Sequence, residues 1–175
     1  MVVFAAQRKD DVADPAQGDL YAVGTLARVR EMEKQEDKSV RLVVEGTARV
    51  RIAGIVSHDP YLRASVEPDP EPRVKKTERI EALMYSVQNQ FRRVAAMGGN
   101  TPFDVTLVVM NVSDPWLLCD LVAANVEMNV EEKQGILEAM GVEQKLNRAA
   151  QALGRQIKVL QIASKIQAET GRELD

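Results

Sequence analysis

The sequence predicts an α+β chain in two parts: a β-rich segment over residues 1–72, then a helical bundle over 73–175 that ends in a long helix. Three observations predict it. Apolar residues alternate with period two up to about residue 67, they recur at helical 3–4 spacing from Ile80 onward, and the proline-punctuated stretch EPDPEPRVKK separates the two regimes.

VVFAAQ is a continuous apolar run that predicts a strand buried on both faces. LYAVGTLARVREM places Leu20, Ala22, Gly24 and Leu26 on one face and Tyr21, Val23, Thr25, Ala27 and Val29 on the other. This pattern leaves the inward face undecided, and Gly24 marks a bulge or a close backbone approach. The polar string EKQEDKS predicts a hairpin loop. VRLVVEG then sets Val40, Leu42 and Val44 on one face. ARVRIAGIV sets Ala48, Val50 and Ile52 opposite Arg49 and Arg51, the alternation of a half-solvated antiparallel strand. YLRASVEP supplies a last strand carrying Leu62, Ala64 and Val66. Pro68, Pro70 and Pro72 favour extended backbone and cannot sit in a central ladder, so the β-rich part ends there.

Beyond the prolines, Ile80, Leu83, Met84, Val87, Phe91, Val94 and Ala95 form the stripe of an amphipathic helix, with Gly98 or Gly99 available for a left-handed cap. FDVTLVVMNV is β-branched, yet its place between helices predicts a short buried helix. Ser113 or Asp114 can cap a helix starting at Pro115, whose missing N–H costs nothing in the first turn. Leu118, Leu121, Val122 and Val126 would be its buried stripe. Asn129 can cap the next helix with Glu132 as its capping-box partner, and Gly141 would stop it. From about residue 142 a long helix carries Leu146, Ala150, Leu153, Ile157 and Leu160, widened by Val159, Ala163 and Ile166. Thirty residues at ~1.5 Å each would reach about 45 Å, more than a short bundle needs to cover. The closing AETGRELD predicts no further element and reads as the edge of a longer protein.

Composition narrows the function. Residues 1–72 carry 10 Lys and Arg against 13 Asp and Glu, and residues 73–175 carry 13 against 13. Neither part has the basic surface of a dedicated nucleic-acid binder. One cysteine permits no intramolecular disulfide and no cysteine metal cluster, which suits a reducing cytoplasm. No apolar run approaches the roughly 20 residues that span a bilayer, and MVVFAAQ lacks a basic leader. His58, the single histidine, has Asp59 beside it but no second ligand at metal spacing, so it reads as a turn residue before Pro60. Cys119 has apolar neighbours and no basic partner adjoining it, so it reads as a buried small hydrophobe. Arg148, Arg155, Lys158 and Lys165 read as a solvated face rather than a phosphate track. Seven methionines suit adaptable apolar surfaces, although Met84 lies on a core stripe. Trp116, in the first turn of its helix, fits core packing better than peptide contact. No nucleophile–base pair, metal set or cofactor motif is present.

Several stretches together resemble the amino-terminal domain of Lon-type ATP-dependent proteases. They are AAQRKDDVADPAQGDLYAVGTLARV, VRLVVEGTARVRI and SDPWLLCDLVAANVEMNVEEKQGILEAMGVEQKL, in order over residues 2 to about 170. The most specific pieces are Gln7, Asp19–Leu20–Tyr21 before Val23–Gly24–Thr25, Glu45–Gly46 with Arg49, Asp114–Pro115, and Lys133–Gln134 before Leu137–Glu138. The resemblance implies a PUA-like β subdomain followed by the helical bundle. It further implies recognition of unfolded or damaged protein substrates and organisation of a hexamer with other copies. The ATPase and Ser–Lys peptidase of such proteases lie downstream. This chain has no Gly–Lys dipeptide, hence no phosphate loop of the Walker type.

The family's domain opens with strands and a helix ahead of the VVFAAQ-like strand, and these are absent here. A sheet edge or core face is then expected to lie uncovered, unless another chain covers it. On this reading capture occurs at the groove between β part and bundle, with Met32, Tyr61, Leu62 and Trp116 as contact residues and no catalytic, cofactor or metal residues. Two other functions are weighed against it. One is a stand-alone Lon-domain interaction module without a motor. The other is RNA binding through the PUA-like part, which the acidic balance of residues 1–72 opposes.

Overall fold

A computed structural model describes residues 1–10, 12–98 and 101–172. The chain divides into two compact units, Met1–Pro72 and Arg73–Asp175.

The first unit is a four-stranded antiparallel sheet in the order β1 (Val2–Phe4), β2 (Val23–Lys34), β3 (Val40–Ser57) and β4 (Arg63–Pro68). Each strand pairs with its sequence neighbour, so every connection is local. Val23, Ala27, Val50 and Ile52 are its buried apolar residues. Val23 and Ala27 lie on one face of β2, whereas Val50 stands opposite Gly24 on the other, so both faces of this strand carry buried residues.

Three expectations change here. VVFAAQ yields only three strand residues, and they lie at a sheet edge, half-buried rather than covered on both faces. Val40, Leu42 and Val44 are exposed, because β2 and β3 run on past their neighbours as a two-stranded arm. Arg49 is not solvated: its side chain is largely buried, and its Nε donates to the Asp69 carbonyl at 3.1 Å and lies 3.2 Å from the Asp69 carboxylate. Asp69 follows β4 directly, so this arginine fastens the end of the sheet.

Gly24 does mark a close backbone approach. A Cβ there would sit 2.5 Å from the carbonyl oxygen of Phe4, so only glycine lets β1 come this near.

The second unit holds α1 (Glu78–Ala96), α2 (Phe103–Asn111), α3 (Pro115–Asn125), α4 (Val130–Leu137) and α5 (Val142–Arg172). Thr77 caps α1 by accepting from the Ile80 amide at 3.3 Å, and Ile80, Met84, Val87, Phe91 and Val94 are buried. Gly98 adopts φ +88°, the left-handed conformation open to glycine at little cost. The β-branched segment is indeed a helix, α2. The Gln88 side chain explains where it ends, since its amide donates to the carbonyls of Val109, Met110 and Val112 at 3.1–3.4 Å.

Asp114 caps α3 by accepting from the Trp116 amide at 2.9 Å, with Pro115 in the first turn. Asn129 and Glu132 form the reciprocal capping box of α4, at 2.9 and 3.1 Å. That helix stops at Leu137 rather than at Gly141, with Glu138 as its last cap. Gly141 instead stands before α5, where its carbonyl accepts from the Lys145 amide.

In α5, Leu146, Leu153 and Ile157 pack into the core, whereas Val159, Ala163 and Ile166 are exposed. The bundle is too short to cover them. Of the expected solvated face, Arg155, Lys158 and Lys165 are exposed and Arg148 is half-buried; Arg148 donates to the Gly135 carbonyl and Arg155 pairs with Glu132, both tying α5 to α4.

Gly154 lies in the interior of α5, and a Cβ there would meet only Gln90 Oε1, at an ordinary 3.9 Å. Gly154→Ala is therefore expected to stabilise the chain by about 0.5–1 kcal/mol through lower unfolded-state entropy. Urea denaturation compares it with the natural chain, and a destabilised variant would mean that the neighbouring helix cannot yield.

Candidate substrate-recognition site

The β unit forms a half-open pocket of about 470 Å³ lined by Val2, Val3, Leu20, Ile52, Tyr61 and Leu62, with Met1, Ala5, Arg63 and Ala64 completing it. Its lining draws on both edge strands, so the sheet curves enough for its two ends to face the same space. Most of these side chains are apolar. Leu62 is about half-exposed and Tyr61 is 67% exposed, so the aromatic ring is accessible to a partner.

Local hydrogen bonds hold the turn that presents Tyr61. The Ser57 hydroxyl donates to the Asp59 carbonyl at 2.8 Å, and the His58 ring lies 3.0 Å from Asp14. His58 is thus the turn residue expected, and it links this turn to the loop after β1. That loop is closed in turn by a Gln7–Leu20 bridge, by the Arg8 amide donating to Asp19, and by the Arg8 guanidinium 4.5 Å from the Tyr21 ring centroid. A cation over an aromatic face is attractive, and here it pins the two ends of the loop together. Gln7 and Asp19–Leu20–Tyr21 therefore act as scaffold for one wall of the cavity.

A second apolar surface lies on the arm. The register sets Val29, Met32 and Lys34 of β2 beside Val44, Leu42 and Val40 of β3, so all six share one face. Met32 is 65% exposed there. At the tip, the Ser39 hydroxyl and then its amide bond to Asp37 and hold its carboxyl below the usual carboxylate range.

Of the four expected contact residues, Tyr61 and Leu62 share the cavity and Met32 lies on the arm. Trp116 does not join them. It is 6% exposed in the helical core, with the Lys145 ammonium 5.2 Å from its ring centroid, so it packs rather than presents. Cys119 is fully buried beside it in α3. Sequence reasoning missed Val2, Val3, Leu20 and Ile52 as cavity residues, because no local pattern announces that distant strand positions will share one space. Among the described residues no group of three or more His, Cys, Asp or Glu could hold a metal ion, and no helix is long and apolar enough to cross a membrane.

The family model of the ATP-dependent protease La (LON) substrate-binding domain matches residues 1–155. The chain belongs to this family. Among its relatives, the Lon protease of Dictyoglomus thermophilum is 34% identical over 174 residues, covering 99% of this chain and 22% of that protein. The Lon protease of Koribacter versatilis is 35% identical over 169 residues, covering 96% and 21%. The chain thus spans about a fifth of the length of these relatives, and the part it spans is a substrate-binding domain, non-catalytic by itself. In fold it is similar to the N-terminal domain of a Mycobacterium avium complex Lon protease, with TM-score 0.64 at 18% identity, covering 87% of this chain and 90% of that one. Within this Lon family setting, an α+β domain of antiparallel sheet followed by helices is the fold observed.

Proposed function

We propose that this Lon substrate-binding domain captures exposed apolar segments of unfolded or damaged proteins in the cytoplasm, and delivers them to an ATP-dependent protease of which it is a part. The observation that carries the reading is the apolar cavity of the β unit with Tyr61 and Leu62 at hand. Folded proteins bury the side chains that such a cavity accepts, so an apolar site without fixed polar partners distinguishes unfolded from folded chains by accessibility alone. Binding at one cavity is weak, which suits release to a motor. Other copies in a hexamer would supply avidity by raising the effective concentration of sites.

The test is binding of the purified chain to one protein in its folded and its permanently unfolded form. Preferential binding of the unfolded form is expected, with Tyr61→Ser combined with Leu62→Ser weakening it about ten-fold, the equivalent of ~1.4 kcal/mol. Equal binding of both forms, or none, would overturn direct capture and leave a spacer or assembly role.

A further inference from the structure

We infer that the pocket between α4 and α5 is a carboxylate-binding site, which takes a single carboxylate carried by a polypeptide, at its chain terminus or on an acidic side chain. The inference rests on the reading of this chain as a substrate-binding domain, and adds one chemical feature of the segment it takes.

The pocket is half-open, about 470 Å³ in volume, and lies wholly within the helical unit. Arg148, Gln151 and Arg155 of α5 line it together with Glu131, Glu132 and Gly135 of α4. Residues three and four apart on a helix share a face, so the two guanidiniums and the amide between them stand in one row.

The two arginines differ in what satisfies them. Arg155 pairs with the Glu132 carboxylate, which also accepts from the Asn129 amide at 3.1 Å and is thereby fixed at the start of α4. Arg148 is half-buried, and its guanidinium donates to the Gly135 carbonyl, a neutral partner. Among the described residues no carboxylate lies within ion-pair distance of Arg148. A cation taken partly out of water is costly until a counter-charge meets it. One carbonyl oxygen brings no charge and engages only part of the planar fork of N–H groups, the arrangement that a carboxylate accepts bidentately. Gln151, one turn further along α5, is exposed and adds an amide donor to the same pocket.

The acids select the ligand. Glu131 and Glu132 balance the charges of Arg148 and Arg155, so this lining is neutral as a whole. A phosphate or a polyanion would bring more charge than one unmatched guanidinium can meet, and Glu131 would repel the excess. A carboxylate brings one charge. An apolar pocket accepts any exposed hydrophobic segment, and a carboxylate site on the same chain adds a preference among such segments.

The experiment uses the purified chain and short fluorescent peptides of alanine and leucine, followed by anisotropy. One peptide ends in a free carboxylate and a second is its amide; two further amides carry a central aspartate or asparagine. A peptide with a carboxylate is expected to bind about ten-fold more tightly than its neutral twin. A gain by the free acid alone identifies the chain terminus as the source, and a gain by the aspartate peptide identifies the side chain. Arg148→Gln is expected to abolish the gain. Glu132→Gln keeps an acceptor for the Asn129 amide but frees Arg155, so the gain is expected to rise about three-fold, a rise that a merely structural arginine row would not give. The Trp116 fluorescence transition in urea shows that each variant is folded. Acid and neutral peptides that bind equally, or not at all, would overturn the site. Binding of an unfolded protein, measured beside them, reports on capture separately, so the loss of one reading is distinguished from the loss of the other.

Discussion

Lys145→Ala is expected to destabilise the helical unit by about 3 kcal/mol, while Lys145→Met stays within about 1 kcal/mol of the natural chain. Lys145 is wholly buried in α5, its Nζ 2.7 Å from the Asp120 carboxylate of α3 and over the Trp116 ring. Asp120 is half-exposed, so water already solvates much of its charge and weakens the pair. Two effects compete. Burying an ammonium is costly and its partner repays only part of that cost, while the four-carbon stem packs as a hydrophobe would. Alanine deletes the stem and leaves a cavity beside Trp116. Methionine keeps the length and sets a thioether against the ring, a favourable contact without a charge to desolvate. Trp116 is the only tryptophan, so its fluorescence during urea unfolding follows this unit specifically. Should methionine cost as much as alanine, the ion pair rather than the stem holds α3 to α5.

Gly24→Ala is expected to cost the β unit about 2–3 kcal/mol and to release β1 from the sheet. The added methyl would meet the Phe4 carbonyl oxygen at 2.5 Å, and a backbone oxygen within a ladder has no rotamer by which to yield. β1 is held by only three residue pairs, Val2–Ala27, Val3–Leu26 and Phe4–Thr25, so detachment is the easiest relief. Hydrogen exchange checks this: amides of Val2–Phe4 and Thr25–Ala27 lose protection, while the Trp116 unfolding curve is unchanged. Val2 and Val3 line the cavity, so binding of unfolded protein falls as well. Preserved β1 protection would show that the sheet absorbs the methyl by shifting as a whole.

These two variants also mark where sequence reasoning reaches. Gly24 was legible as a bulge or a close approach because a glycine within a strand pattern has few other causes, and the structure shows the close approach. Lys145 was not, since nothing near it in the chain says that Asp120 and Trp116 would meet it. The same division runs through the candidate site. Tyr61 and Leu62 were expected as contact residues, but Val2, Val3, Leu20 and Ile52 became cavity walls only when the sheet curved.

The residue order by itself determined the elements and most of their ends. Asp114 with Pro115, Asn129 with Glu132, and the change from period two to 3–4 spacing act through backbone groups a few residues apart, so they do not depend on the rest of the fold. Only the tertiary structure decided which apolar faces are covered. Ile157 and Val159 lie two residues apart on α5, yet one is buried and the other exposed, because the bundle ends between them. Val40, Leu42 and Val44 have the alternation of a buried strand face and remain exposed, because β2 and β3 run on there past β1 and β4. Periodicity states which residues share a face; burial requires a second surface, and its presence is settled by elements distant in sequence.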